Sequence, residues 1–71
     1  PLSQRMDTAL RQFEIALEDK GEHIACLEAR KHLCWYLHGV PHASFYKKDI
    51  SQVSNKEEVY TVVKRIKRDL R

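Results

Sequence analysis

Only four of the 71 residues are glycine or proline, and their positions decide most of what the chain can fold into. Gly21 follows Lys20, Gly39 follows His38, and Pro41 stands two residues later. Glycine commonly closes a helix, whereas proline cannot continue one but can open the next. The stretches between these breakers have helical length, and their apolar residues recur at spacings of three and four rather than two. An all-α chain follows: a small bundle of four helices, one of them short, packed around the second.

The first helix is expected over residues 3–20. Met6, Leu10, Phe13 and Leu17 form one stripe, flanked by Ala9 and Ala16. The second is expected over residues 22–38. On a wheel of about 100° per residue with Ile24 at zero, Cys26, Ala29, Leu33 and Leu37 fall between about 140° and 220°. That arc is a core face with Cys34 and Tyr36 at its margins. Glu28, Lys31, His32, Trp35 and His38 fill the opposite arc, polar and mostly basic, with an indole near its centre. A short third helix over residues 42–50 offers Ala43, Phe45, Tyr46 and Ile50 for packing. Residues 51–54 break it. Ser54 and Glu57 then have the spacing of a capping box. The last helix runs to about Leu70, buried through Val59, Val62, Val63, Ile66 and Leu70. Its three valines lower its intrinsic propensity, so packing must hold it.

A chain this short buries only about 60% of the surface its unfolded form exposes. It has no room for a cofactor-binding barrel or a doubly wound nucleotide fold. Its sequence has no apolar run near 18 residues, so no membrane span is expected. There is no recognisable signal peptide, and two cysteines without framework spacing fit a reducing cytoplasm. The start at Pro1 rather than Met points to a piece of a longer polypeptide. The net charge of +3 is unevenly distributed. Residues 1–36 hold five Lys/Arg against six Asp/Glu, and residues 37–71 hold eight against four. A basic half favours a polyanionic partner.

Three constellations bear on chemistry. His23, Cys26, Cys34 and His38 are zinc-type ligands, but one continuous helix would separate His23 from His38 by about 22 Å. Ligands must instead lie within about 2.3 Å of one metal, so no metal site is expected. The same rise separates Cys26 from Cys34 by about 12 Å, too far for a disulfide. Cys34 with His38 four residues on has the spacing of a thiol–imidazole pair. The chain offers no oxyanion-hole loop and no enclosure, so neither a catalytic nor a cofactor-binding residue is assigned. The third is nucleic-acid binding. Lys31, Trp35 and His38 share one face bordered by His32; cations suit phosphates and an exposed indole suits a base. Arg30 lies nearer the core margin. Lys47, Lys48, Lys64, Lys67, Arg68 and Arg71 are candidates to extend that surface. The opposing expectation is a Trp35 packed beneath another helix.

Residues 28–43 carry a more specific signal. Ala29-Arg30-Lys31-His32-Leu33-Cys34-Trp35-Tyr36-Leu37-His38-Gly39-Val40-Pro41 reads A-R-K-H-x-x-W-Y-L-x-G-x-P. This string resembles the C-terminal helical domain of bacterial tRNA-dihydrouridine synthases, and looser similarity extends over nearly the whole chain. The resemblance implies that residues 1–71 are one helical domain of a larger flavoprotein. The parent's N-terminal TIM barrel would hold FMN and a catalytic cysteine and use NADPH to reduce uridine in tRNA to 5,6-dihydrouridine. The helical domain would bind tRNA and pack on the barrel, in the cytoplasm, with no cofactor of its own. Neither Cys26 nor Cys34 matches the family's catalytic cysteine. The motif carries over Arg30, Lys31, His32, Trp35 and Tyr36, of which Lys31 and His32 are the best tRNA-backbone candidates, with Arg30 third. The expected RNA-binding set is Arg30, Lys31, His32, Trp35, His38, Lys47 and Lys48. His38 stands where lysine is common in the family, and His42 where glycine is common. The alternative role is a structural domain stabilising the barrel or a dimer interface.

Overall fold

A computed structural model describes residues 2–70. Four helices follow in order: α1 (Leu2–Lys20), α2 (Glu22–Tyr36), α3 (Ser44–Ser51) and α4 (Lys56–Asp69). The expected all-α bundle is the observed fold. α2 packs against each of the other three, and so does α4; the α1–α2 pairing is the most extensive.

That pairing follows from the sequence of the two helices. Gly21 alone joins them, at φ 90°, a left-handed conformation that glycine adopts without a Cβ clash. Its N–H returns to the Leu17 carbonyl at 3.2 Å. So short a link folds α2 back along α1. Ala9 and Ala16 on α1 and Ala25, Cys26 and Ala29 on α2 are all buried in the shared core. Such small side chains let two backbones approach closely. Met6, Phe13, Leu33, Leu37, Ile50, Val53, Val59, Val63 and Ile66 fill the remaining interior. The expected Leu10, Leu17 and Leu70 pack against it while only partly buried. Ala25, outside the expected arc, is fully buried.

Three local expectations need correction. First, α2 ends at Tyr36 rather than His38. The backbone tightens there, with His38 N–H on Trp35 O at 3.1 Å and Val40 N–H on Leu37 O at 3.0 Å, before Gly39 turns left-handed at φ 82°. Second, α3 begins at Ser44, because His42 sits at φ 66° and a left-handed residue cannot propagate a right-handed helix. Ala43, Tyr46, Ile50 and Val53 face inward, and Phe45, expected in the core, is 70% exposed. Third, the cap of α4 is one residue later than the Ser54–Glu57 pairing. Asn55 has extended backbone, and its side chain accepts the Glu58 N–H at 2.9 Å. Glu58 in turn accepts from both Ser54 N–H and Ser54 Oγ, each at 2.9 Å. The next donor, Lys56 N–H, reaches across the molecule to Glu22 Oε2 at 2.9 Å. One carboxylate thus serves the first turns of both α2 and α4.

Candidate nucleic-acid interface

The outward ridge of α2 runs from Ile24 and Leu27, each 40% exposed, through Lys31 to Trp35, which is 73% exposed. Trp35 is therefore not packed beneath another helix. Its ring meets Tyr36 edge-on, with centroids 5.4 Å apart and planes at 74°. Tyr36 is half-buried, and its hydroxyl donates to Gln12 Oε1 at 3.4 Å, tying it to α1. Lys31, His32, His38, Lys47 and Lys48 are all exposed. None of their side chains takes part in an ion pair or hydrogen bond among the described residues. Arg30 differs. It is half-buried, and both its Nε and Nη2 donate to the Val53 carbonyl, at 2.9 and 2.8 Å.

The flanking charges divide. Lys64 is exposed, but Lys67 pairs with Asp7 at 2.6 Å and Arg68 with Asp69 at 2.8 Å, so two cations named from the sequence are already neutralised. Arg71 lies outside the described residues. Glu28, one turn before Lys31 and His32, is held by Lys20 at 2.9 Å. That hydrogen bond is the main reason its carboxyl lies below the ordinary range, with Lys31 and His32 adding smaller contributions of the same sign. A carboxylate engaged elsewhere competes less with phosphate for Lys31.

Sequence reasoning missed Arg5. With Trp35, Tyr36 and His38 it lines an open recess of about 330 Å³. The signal was present in the one-residue turn. Arg5 lies sixteen residues before Gly21 and Leu37 sixteen after, so a tight hairpin brings Arg5 beside the end of α2.

Other chemistry finds little support in the geometry. Cys26 and Cys34 are free thiols, and burial pushes the Cys26 thiol up, away from a reactive thiolate. No group of three or more His, Cys, Asp or Glu is arranged to hold a metal among the described residues. No helix among them is long and apolar enough to cross a membrane. Among the described residues no buried side-chain nitrogen or oxygen lacks a partner, and the recesses are open to solvent.

Comparison with known families matches the dihydrouridine synthase model to residues 1–71, the whole of the chain. The chain belongs to the dihydrouridine synthase family. No solved structure matches it. Dihydrouridine synthases are oxidoreductases that act on tRNA and generally use FMN. In this dihydrouridine synthase chain residues Ala29 to Tyr36 of the A-R-K-H-x-x-W-Y-L motif form the last two turns of α2, and Leu37 is its C-cap. The motif sends Arg30 inward to Val53 and Lys31, His32 and Trp35 outward.

Proposed function

We propose that this chain is the tRNA-recognition domain of a dihydrouridine synthase. It grips tRNA while the uridine is reduced to 5,6-dihydrouridine in a TIM barrel of the same polypeptide, with FMN as the flavin and NADPH as the reductant. The observation that supports it is the exposed Trp35 on the same helix face as Lys31, which has no carboxylate ion-pair partner among the described residues. Lys31 supplies charge along the α2 ridge, with the exposed His32 and His38 imidazoles beside it as hydrogen-bonding groups, and Lys47 and Lys48 add charge from α3. Phosphate contacts of this kind fix register without reading sequence, which suits a domain whose task is positioning. Arg30 enters this reading as the residue that holds α2 in place rather than as a phosphate contact. The setting is the cytoplasm, where the substrate is.

The test is tRNA binding by the chain and by Lys31→Ala and His32→Ala at two salt concentrations. Both variants should bind more weakly. Lys31→Ala should also lower the slope of log K against log salt by about 1. Binding of both variants like the parent would remove the proposed site.

A second reading has one observation in its favour: Ile15, Ile24 and Leu27 are also exposed. An apolar surface at that end would suit docking onto the barrel or a second copy. If docking is the whole role, Trp35 emission stays constant when tRNA is added.

A further inference from the structure

The recess between the start of α1 and the end of α2 has a composition that its neighbours lack. Its lining is Arg5, Trp35, Tyr36 and His38, with no carboxylate. Four other recesses of similar size each present at least one acid. The groove between α3 and α4 has Asp49, Glu57 and Glu58. The one beside Phe45 has Asp69. Those on α1 and along the α1–α2 seam have Asp7, and Asp19 with Glu28, respectively. A phosphate entering any of these four meets negative charge; one entering the Arg5 recess does not. Arg5 is exposed and has no ion pair or hydrogen bond among the described residues, so its guanidinium is available.

The aromatic wall is held as well as exposed. Tyr36 meets Trp35 edge-on and is itself tethered to Gln12 on α1. A perpendicular neighbour covers at most one face of the indole, which leaves the other open to solvent. The volume, about 330 Å³, lies at the small end of the roughly 300–1,000 Å³ usual for small-molecule sites. That is room for one base and its sugar, not for a duplex.

We propose that the recess seats a single unpaired nucleotide, its base stacked on Trp35 and its phosphate held by Arg5, with His38 at the rim. This rests on the RNA-binding reading above and adds to it a structural selectivity. A paired base has both faces occupied by its neighbours and cannot reach the indole. A base in a loop or bulge can. With Arg5 on the phosphate and Trp35 on the ring face, only His38 and the Tyr36 hydroxyl are left to meet a base edge, so the seat selects for an unpaired state more than for base identity.

Trp35 is the single tryptophan of the chain, which makes its fluorescence a direct readout. The chain is titrated with a short single-stranded RNA and with a blunt RNA duplex of equal length. Labelled-tRNA anisotropy is followed in parallel. The single strand should quench Trp35 and the duplex should not. Trp35→Ala should weaken single-strand binding by about 5- to 150-fold, the range of one base–aromatic stack, and Trp35→Phe should recover most of it. Arg5→Ala should weaken it and lower the salt slope by about 1. Both positions are exposed, so neither change threatens the fold. Equal quenching by duplex and single strand overturns the seat. So does tRNA binding that leaves Trp35 emission unchanged and survives Trp35→Ala; the RNA-binding reading then stands without it. If neither tRNA nor single strand binds at low salt, the RNA-binding reading falls and the seat with it.

Discussion

Arg30 donates from both Nε and Nη2 to a single acceptor, the backbone carbonyl of Val53, at 2.9 and 2.8 Å. Val53 is buried just after the C-terminus of α3, where the last carbonyls of a helix have no partner within it. The guanidinium thereby fastens α2 to the α3–α4 connection. A hydrogen bond from a charged donor contributes about 1.5–3 kcal/mol. Arg30→Met should lower unfolding free energy by about that amount, read as a lower urea midpoint at unchanged slope. Arg30→Lys should recover only part, since an ammonium lacks the forked geometry. An unchanged midpoint for Arg30→Met would mean the clamp contributes nothing.

His42 at φ 66° occupies a position that favours glycine. Histidine tolerates the left-handed region better than most residues, yet the conformation costs an L-residue about 1–2 kcal/mol. Glycine also gives up more unfolded-chain entropy, which offsets part of the gain. His42→Gly should therefore stabilise the chain by roughly 1 kcal/mol, about 4–8 °C in Tm for a domain of this size. His42→Val, β-branched, should do the reverse. A lower Tm for His42→Gly would show that the His42 side chain supplies more than its backbone strain costs.

How much of this was legible in the sequence depends on the range of each effect. The four helices could be read because Gly21, Gly39 and Pro41 punctuate the chain and the 3,4 spacing of residues such as Met6, Phe13, Val59 and Val63 is local. The exposure of Phe45 is legible on a helical wheel, since at about 100° per residue it lies about 160° from Ala43 and about 140° from Ile50, the residues that bury that face. The sequence does not separate a Ser54 cap from an Asn55 cap for α4, because both residues can cap and both Glu57 and Glu58 can answer. The extended backbone at Asn55 decides between them. On the candidate face, periodicity placed Lys31, His32 and Trp35 outward but could not show that Arg30 turns to a carbonyl 23 residues away. Arg5 and the Lys67–Asp7 pair belong to the tertiary fold, the latter spanning 60 residues of sequence.

The pair Tyr46–Asp69 should make stability pH-dependent at both extremes. Asp69 accepts from Arg68 and from the Tyr46 hydroxyl, and these hydrogen bonds, Arg68's first, hold its carboxyl down to about 2 from an ordinary 3.8. A carboxylate depressed in the folded state stabilises fully above its unfolded value and loses that contribution as pH falls through the folded one. The loss should therefore fall between about pH 4 and pH 2. Tyr46 is shifted the other way, first by its hydrogen bond to Asp69, so its contribution is complete below 10.0 and fades as pH rises further. Asp69→Asn should flatten the acid limb of the stability curve and Tyr46→Phe the alkaline one. Unchanged limbs in both would show that the pair does not couple folding to protons.

The last prediction separates cations by whether the fold has already neutralised them. Lys31 and Lys67 look alike in sequence, both on polar helix faces in basic surroundings. Lys67 is paired with Asp7 at 2.6 Å, whereas Lys31 has no carboxylate partner among the described residues. Binding a phosphate through Lys67 would first require giving up that pair, whereas Lys31 only exchanges counterions. Lys31→Ala should thus weaken tRNA binding and reduce its salt dependence, and Lys67→Ala should leave both close to the parent. The exposed Lys67–Asp7 pair is worth at most about 1 kcal/mol, so the Lys67 variant stays folded and the comparison is fair. Affinities at 50 and 200 mM salt provide the check. Equal losses for the two variants would mean that charge alone, and not the α2 ridge, sets where tRNA binds.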